Sequence, residues 1–120
     1  MRSFIFDAAR EVRLESDLRT RIGAALARGP RIIGLASNRS GKSPAGSWTR
    51  HAEVRVTLNK NAEGADVYVY REHGLNGKTM NAKPCVACIA WLRQLGVRRV
   101  YYTVESEEDR WGLCIQELRF

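Results

Sequence analysis

The segment NAKPCVACIAWL, residues 81–92, decides the fold of this 120-residue chain. Its apolar positions recur at helical spacing and a glycine follows as a stop signal, so we predict a helix over residues 85–96. Pro84 stands where this helix begins, a position that favours proline. Cys85 and Cys88 then lie three residues apart on one face of the first turn, and their sulfurs can converge on one point.

The cysteine pair alone leaves two kinds of chemistry open. A helix N-terminus stabilises thiolates, and two converging thiolates bind zinc well. The same C-x-x-C spacing in an α/β protein is also typical of a thioredoxin-like redox pair. The chain has three cysteines in all, which is an odd number and too few for a disulfide framework.

Composition limits the class of protein and its partners. The chain has a net charge of +7, which favours anionic partners such as nucleotides or nucleic acid. No uncharged apolar run is long enough to span a bilayer, and charges soon interrupt the apolar start FIFDAAREV. We therefore expect a cytoplasmic protein with no membrane partner.

The order of predicted elements indicates an α/β fold built on one mixed sheet. A hairpin is predicted where Gly29-Pro30 divides two apolar runs. In chain order the predictions are a helix over 4–15, the hairpin over 21–38, a loop over 39–50, an uncertain element over 51–59, a strand over 65–72, a loop over 72–83, the helix over 85–96, and strands over 97–104 and 111–120.

The connection between the last two strands predicts their direction. Only about six polar residues, ESEEDR, separate them. A parallel crossover needs roughly a dozen residues or more, so we expect these strands to pair antiparallel.

The segment HAEV (51–54) supplies the residues that the cysteine pair lacks for a catalytic metal site. His51 would be a third ligand, and a catalytic zinc keeps its fourth position open for water. Glu53 is a carboxylate two residues away, and both can serve one site only if it lies off a helix end. We therefore predict a helix over 51–59 whose N-terminus faces the metal, despite its β-branched residues.

The combination H-x-E…P-C-x-x-C is the signature of zinc nucleobase deaminases. Together with the hairpin RIGAALARGPRIIGLASN and the segment KPCVACIAWLRQLGVRRVYYT, it resembles the cytidine deaminase-like superfamily over most of the chain. The resemblance implies a single deaminase domain over 1–120. It also implies a three-layer sandwich, with helices on both faces of a five-stranded mixed sheet.

The resemblance also implies an activity and roles for particular residues. The activity is zinc-dependent hydrolytic deamination of cytosine to uracil in a free cytidine or deoxycytidine nucleoside or nucleotide. Glu53 would move protons, Asn38 would contact the sugar, and the backbone N–H of Ala52 would contact the base. Trp48, in the polar loop before the H-A-E motif, is a candidate pocket wall. Zinc would be held by His51, Cys85 and Cys88.

Several alternatives remain open at this stage. An antiparallel final strand pair resembles free-nucleoside deaminases, whereas the wording KPC…VYYT resembles phage or viral deoxycytidylate-type proteins. Net charge and Trp48 favour a cytosine or adenine deaminase acting on single-stranded DNA or RNA. An alternative of another class is a non-catalytic zinc-bearing module that binds nucleic acid. Many members of the superfamily assemble, so a homo-oligomer is compatible with the resemblance.

Overall fold

The computed structural model describes residues 1–41, 49–73, 77–105 and 115–120. Its elements in chain order are α1 (Ser3–Val12), a 3-10 turn (Arg13–Glu15), β1 (Arg21–Arg28), β2 (Arg31–Ser37), β3 (Arg39–Ser40), β4 (Thr49–Arg50), α2 (Ala52–Arg55), β5 (Asp66–Glu72), α3 (Val86–Gln94), β6 (Arg99–Thr103) and β7 (Ile115–Arg119). Among the described residues, no helix is long and apolar enough to cross a membrane.

One mixed sheet of five strands organises the chain, in the order β2-β1-β5-β6-β7. The pair β5–β6 is parallel, with α3 in the connection between them, and the other neighbours are antiparallel. The predicted α/β class with one mixed sheet is therefore confirmed. The predicted direction of the last pair is also confirmed, since Arg99 pairs with Arg119 and Thr103 with Ile115.

The first two strands form the predicted hairpin around Gly29-Pro30. Arg28 pairs with Arg31, so Gly29 and Pro30 alone make the turn. Gly29 has a φ of +54°, which favours glycine. The register shifts between Leu26 and Ala27. The open end of the hairpin, where Asn38 follows β2, therefore lies at the opposite ends of the two strands from the turn.

Helices cover both faces of the sheet. On one face α1 buries Ile5, Phe6 and Ala9 against a cluster that includes Tyr68 and Tyr70. On the other face lies a larger cluster, to which the sheet, α2, α3 and the segments around them contribute Ala24, Leu26, Ala52, Val56, Val67, Val69, Leu92 and Val100. Alternate strand residues point to opposite faces, so the three layers follow from the apolar strands of the sequence.

Two local predictions differ from the structure. The uncertain element is a helix, as predicted, but it ends at Arg55 and continues as turns instead of reaching residue 59. Thr57 gives one physical reason, because its hydroxyl donates to the carbonyl of Val54 at 2.7 Å and competes with the helical pattern. The predicted loop over 39–50 has paired ends, with Arg39 opposite Arg50.

The last strand is described from Ile115 onward, so the predicted residues 111–114 lie outside the described part of the chain.

Candidate functional site

Two helix starts meet at one edge of the sheet and form the site. His51 is the N-cap residue of α2, and Cys85 is the N-cap residue of α3, both with extended backbone angles. The helix α3 follows β5 and precedes the parallel strand β6. Ligands of α/β proteins bind at the carboxyl ends of such strands, where connecting helices begin. The site therefore lies where this topology favours one.

The three predicted metal ligands converge. The donor atoms of His51, Cys85 and Cys88 all lie within 4.8 Å of one another. The Cys88 sulfur is 3.3 Å from Nδ1 of His51. Cys88 is buried, His51 is half-buried and Cys85 is exposed. The three residues come from two segments more than thirty positions apart, so the fold creates the cluster.

The chemistry of the donor set suits zinc. Two thiolates and one imidazole are ligands that zinc prefers, and three protein ligands leave one coordination position open. Burial raises the pKa of the Cys88 thiol, and the nearby Glu53 carboxylate raises it further. A cation at this point offsets both effects, because it stabilises the thiolate directly. The residues present therefore fit a zinc ion.

Glu53 is a buried carboxyl group in the first turn of α2, with only 4% of its surface exposed. Burial raises its pKa, which favours the protonated form. Its Oε1 atom has no hydrogen-bond partner among the described residues. A buried carboxyl group with an unpaired oxygen can accept or donate a proton to a bound ligand.

A pocket of about 140 Å³ lies beside this cluster. It is lined by Ile22, His51, Glu53, Arg71, Asn81, Ala82, Lys83 and Cys85. Three of the predicted site residues, His51, Glu53 and Cys85, therefore share one wall. Sequence reasoning missed Arg71, Asn81 and Lys83 as lining residues. The position of the last two just before the cysteine motif was the signal that could have found them.

The Asn38 side chain is held within the chain. Its Oδ1 accepts from the hydroxyl of Ser16 at 2.6 Å and from the N–H of Ile22 at 3.0 Å. Its Nδ2 donates to the carbonyl of Thr20 at 2.9 Å. Asn38 thus ties the open end of the hairpin to the segment before β1. A sugar contact from Asn38 stays a prediction, for which a second N–H of Nδ2 remains.

Ala52 and Trp48 are the other two predicted substrate contacts. Ala52 is fully buried directly after His51, and contact between its N–H and a base stays a prediction. Trp48 lies outside the described residues.

Hydrogen bonds around the pocket hold its walls in place. The indole N–H of Trp91, in α3, donates to the Thr57 hydroxyl at 3.0 Å and so links α3 to the turn that follows α2. The segment leading into Cys85 is fastened to the end of β6, since Thr103 donates to the Met80 carbonyl at 2.8 Å and accepts from Ala82 through its own carbonyl.

Comparison with known proteins identifies the class to which this fold and site belong. Residues 2–104 match the family model described as the cytidine and deoxycytidylate deaminase zinc-binding region. The chain therefore belongs to this family, the zinc-dependent deaminases of cytidine-type substrates, and its metal is zinc. No curated protein matches the sequence.

Solved structures with the same fold come from both branches named in the family description. Cytidine deaminase from Burkholderia pseudomallei superimposes with a TM-score of 0.70 at 17% identity, over 99% of this chain and 92% of that one. The dCMP deaminase of cyanophage S-TIM5 in apo form gives a TM-score of 0.64 at 19% identity, over 88% and 83%. The same phage enzyme in complex with dCMP and dUMP gives 0.61 at 17%, over 82% and 76%.

Proposed function

We propose that this chain acts as a single deaminase domain that hydrolyses cytosine to uracil in a free cytidine or deoxycytidine nucleoside or nucleotide. The observation that carries the proposal is the convergence of His51, Cys85 and Cys88 beside a pocket that the buried carboxyl group of Glu53 also lines. In this proposal the three converging residues hold the zinc ion and Glu53 transfers protons.

The reaction adds water to cytosine and releases ammonia, leaving uracil. Zinc, when bound, lowers the pKa of a water molecule so that it can attack at neutral pH. Glu53 would take the first proton of this water and pass it to the ring nitrogen N3; it would then take the second proton, from the hydroxyl now on C4, and pass it to the departing amine. Its burial keeps these protons away from bulk solvent. One carboxyl group can relay both protons because the oxygen and nitrogen on C4 are adjacent to N3.

Three further residues complete the proposed substrate site. The N–H of Ala52 would donate to the base, Asn38 would contact the sugar, and Trp48 would form part of the pocket wall. The fold supports the first of these, since Ala52 lies between the proposed ligand His51 and the proton carrier Glu53.

The end of the sheet favours a free nucleoside as the substrate. Strands β6 and β7 are antiparallel, as in the free-nucleoside deaminases that the sequence resembles. The fold of the Burkholderia cytidine deaminase also covers nearly the whole chain. The net charge of +7 favours a single-stranded polynucleotide as the alternative substrate, because phosphates attract such a surface.

A substrate panel tests the proposal. The zinc-loaded protein is incubated with cytidine, deoxycytidine, their 5′-monophosphates and a cytosine-containing single strand, and ammonia and uracil products are measured. We expect turnover of at least one free substrate, with kcat lower by about 10²- to 10⁴-fold in the Glu53→Gln variant. Turnover of the single strand alone, with binding that weakens steeply as salt rises, would favour the alternative. Absence of product from every substrate would reject deamination of cytosine.

A further inference from the structure

Arg71 brings a guanidinium group into the pocket from β5, outside both zinc motifs. It is half-buried and lines the same pocket as His51 and Glu53. Its Nη1 donates to the carbonyl of Asn81 at 3.1 Å. Because Asn81 is itself part of the pocket wall, this hydrogen bond holds the guanidinium against the pocket and limits its freedom to swing into solvent.

Two buried polar atoms in this pocket have no hydrogen-bond partner among the described residues. One is a donor, Nε of Arg71, and the other is an acceptor, Oε1 of Glu53. Both side chains line the same pocket. Buried polar groups are costly to leave unpaired. The pair is therefore complementary to a ligand that offers an acceptor to Arg71 and a donor to Glu53.

The hydrogen-bonding edge of cytosine has this pattern. Its exocyclic amine is a donor, and the ring nitrogen N3 and the 2-carbonyl oxygen beside it are acceptors. Adenine presents an amine and a ring nitrogen, but a C–H where cytosine has the carbonyl. We propose that Arg71 donates to the 2-carbonyl oxygen of cytosine and thereby selects cytosine over adenine. This inference rests on the proposed deaminase function.

The pocket's dimensions favour the base over the phosphate as the partner of Arg71. Its volume of about 140 Å³ is small beside the roughly 300–1,000 Å³ of sites that enclose whole drug-sized ligands. The unpaired donor is Nε, the nitrogen nearest the strand, and it is buried. Lys83, by contrast, is exposed. The 2-carbonyl has two lone pairs, so it can accept from Arg71 together with the N–H of Ala52.

A cycle that changes both the residue and the substrate atom tests this contact. Arg71→Met removes the donor, and 2-thiocytidine replaces the 2-carbonyl oxygen by sulfur, a weaker acceptor. We expect Arg71→Met to lower kcat/KM for cytidine by about 10- to 100-fold, the range for a hydrogen bond to a charged group. The wild type should also prefer cytidine to 2-thiocytidine, and this preference should shrink to less than about threefold in the variant.

Matched controls separate this contact from other effects. Arg31→Met removes an exposed arginine at the opposite end of the β1–β2 hairpin and should leave both rates unchanged. Zinc content and thermal midpoint show whether Arg71→Met is folded, and Arg71→Leu, which also lacks an N–H donor, replaces it if it is not. Calorimetric binding of uridine and 2-thiouridine to wild type and variant provides the same cycle without turnover.

Three outcomes decide between the possibilities. A full preference for oxygen over sulfur in Arg71→Met overturns the proposed contact. Loss of turnover confined to cytidine 5′-monophosphate, with cytidine unaffected, overturns it as well and assigns Arg71 to the phosphate. If the wild type deaminates no cytosine substrate, the proposed function fails, while the uridine binding cycle still decides whether Arg71 contacts the 2-carbonyl.

Discussion

At the scale of the residue, the site depends on where each side chain stands relative to a helix start. His51 and Cys85 cap α2 and α3, so their side chains point off the helix ends toward each other. Glu53 stands inside the first turn, where the helix N-terminus stabilises a negative charge while burial opposes it. An imidazole, a thiol and a carboxyl group therefore meet at one site from two helix starts.

Glu53→Gln should abolish proton transfer while keeping the shape of the pocket. We expect kcat to fall by about 10²- to 10⁴-fold, the usual contribution of a general acid–base group. Bound zinc, measured by elemental analysis, should be unchanged because the ligands are intact. If the variant retained wild-type kcat, Glu53 would not be the proton carrier.

At the scale of the element, the geometry of the site depends on how α2 and α3 are fastened to each other and to the sheet. The Trp91 to Thr57 hydrogen bond joins α3 to the turn that follows α2. The connection before Cys85 is fastened to Thr103 at the end of β6. These contacts link segments that are distant in the chain, so the metal ligands keep their separation only while the elements stay packed.

Thr57→Val tests the hydrogen bond between α3 and the turn that follows α2. Valine has nearly the same shape but cannot accept from the Trp91 indole, which is left without that partner. We expect the free energy of unfolding to fall by about 1–3 kcal/mol in a denaturant titration. Trp91→Phe is the comparison, because it leaves the Thr57 hydroxyl bonded to the Val54 carbonyl. Equal stability of Thr57→Val and wild type would show that the link contributes nothing.

Gly23→Ala tests the packing of α1 on β1. A Cβ atom at residue 23 would lie 1.8 Å from the carbonyl oxygen of Ala9, so the helix must move away from the strand. We expect a loss of about 1–3 kcal/mol or more in the free energy of unfolding. Gly29→Ala meets no atom within 4 Å and costs only the strain of its positive φ, about 1–2 kcal/mol. A Gly23→Ala protein as stable as wild type would contradict this packing.

At the scale of the whole molecule, metal binding and folding are coupled. The three ligands come together only in the folded chain, because residue 51 and residues 85 and 88 belong to separate elements. A metal that binds the folded state more tightly than the unfolded state raises the free energy of unfolding. Zinc is therefore expected to stabilise the fold as well as to support the reaction.

Removal of zinc by a chelator should lower the thermal midpoint. The expected loss in the free energy of unfolding is roughly 4 kcal/mol when free zinc exceeds its dissociation constant about a thousandfold. Differential scanning calorimetry with and without the chelator measures it, and added zinc should restore the midpoint. Cys88→Ala provides the control, since a protein that has lost a buried ligand should respond little to either treatment. An unchanged wild-type midpoint would contradict the coupling.

The sequence by itself predicted most of the elements and the three residues, His51, Cys85 and Cys88, that converge in the structure. Helical spacing after Pro84, the Gly29-Pro30 turn and the short connection before the last strand each predicted a local feature that the structure confirms. Such patterns can be interpreted because periodicity and turn chemistry act over a few residues. The motif around His51 and the motif around Cys85 could be assigned to one metal site because imidazole and thiolate are both ligands of zinc.

Tertiary structure alone decided what surrounds those ligands. Nothing local marked Arg71 as a pocket residue, since it occupies one position of an otherwise buried strand. Asn38 had the residue type of a substrate contact, yet its amide is bonded to Ser16, Thr20 and Ile22. The physical reason is the same for both. A side chain's partners depend on which distant segments pack beside it, and the spacing of residues along the chain does not predict that packing.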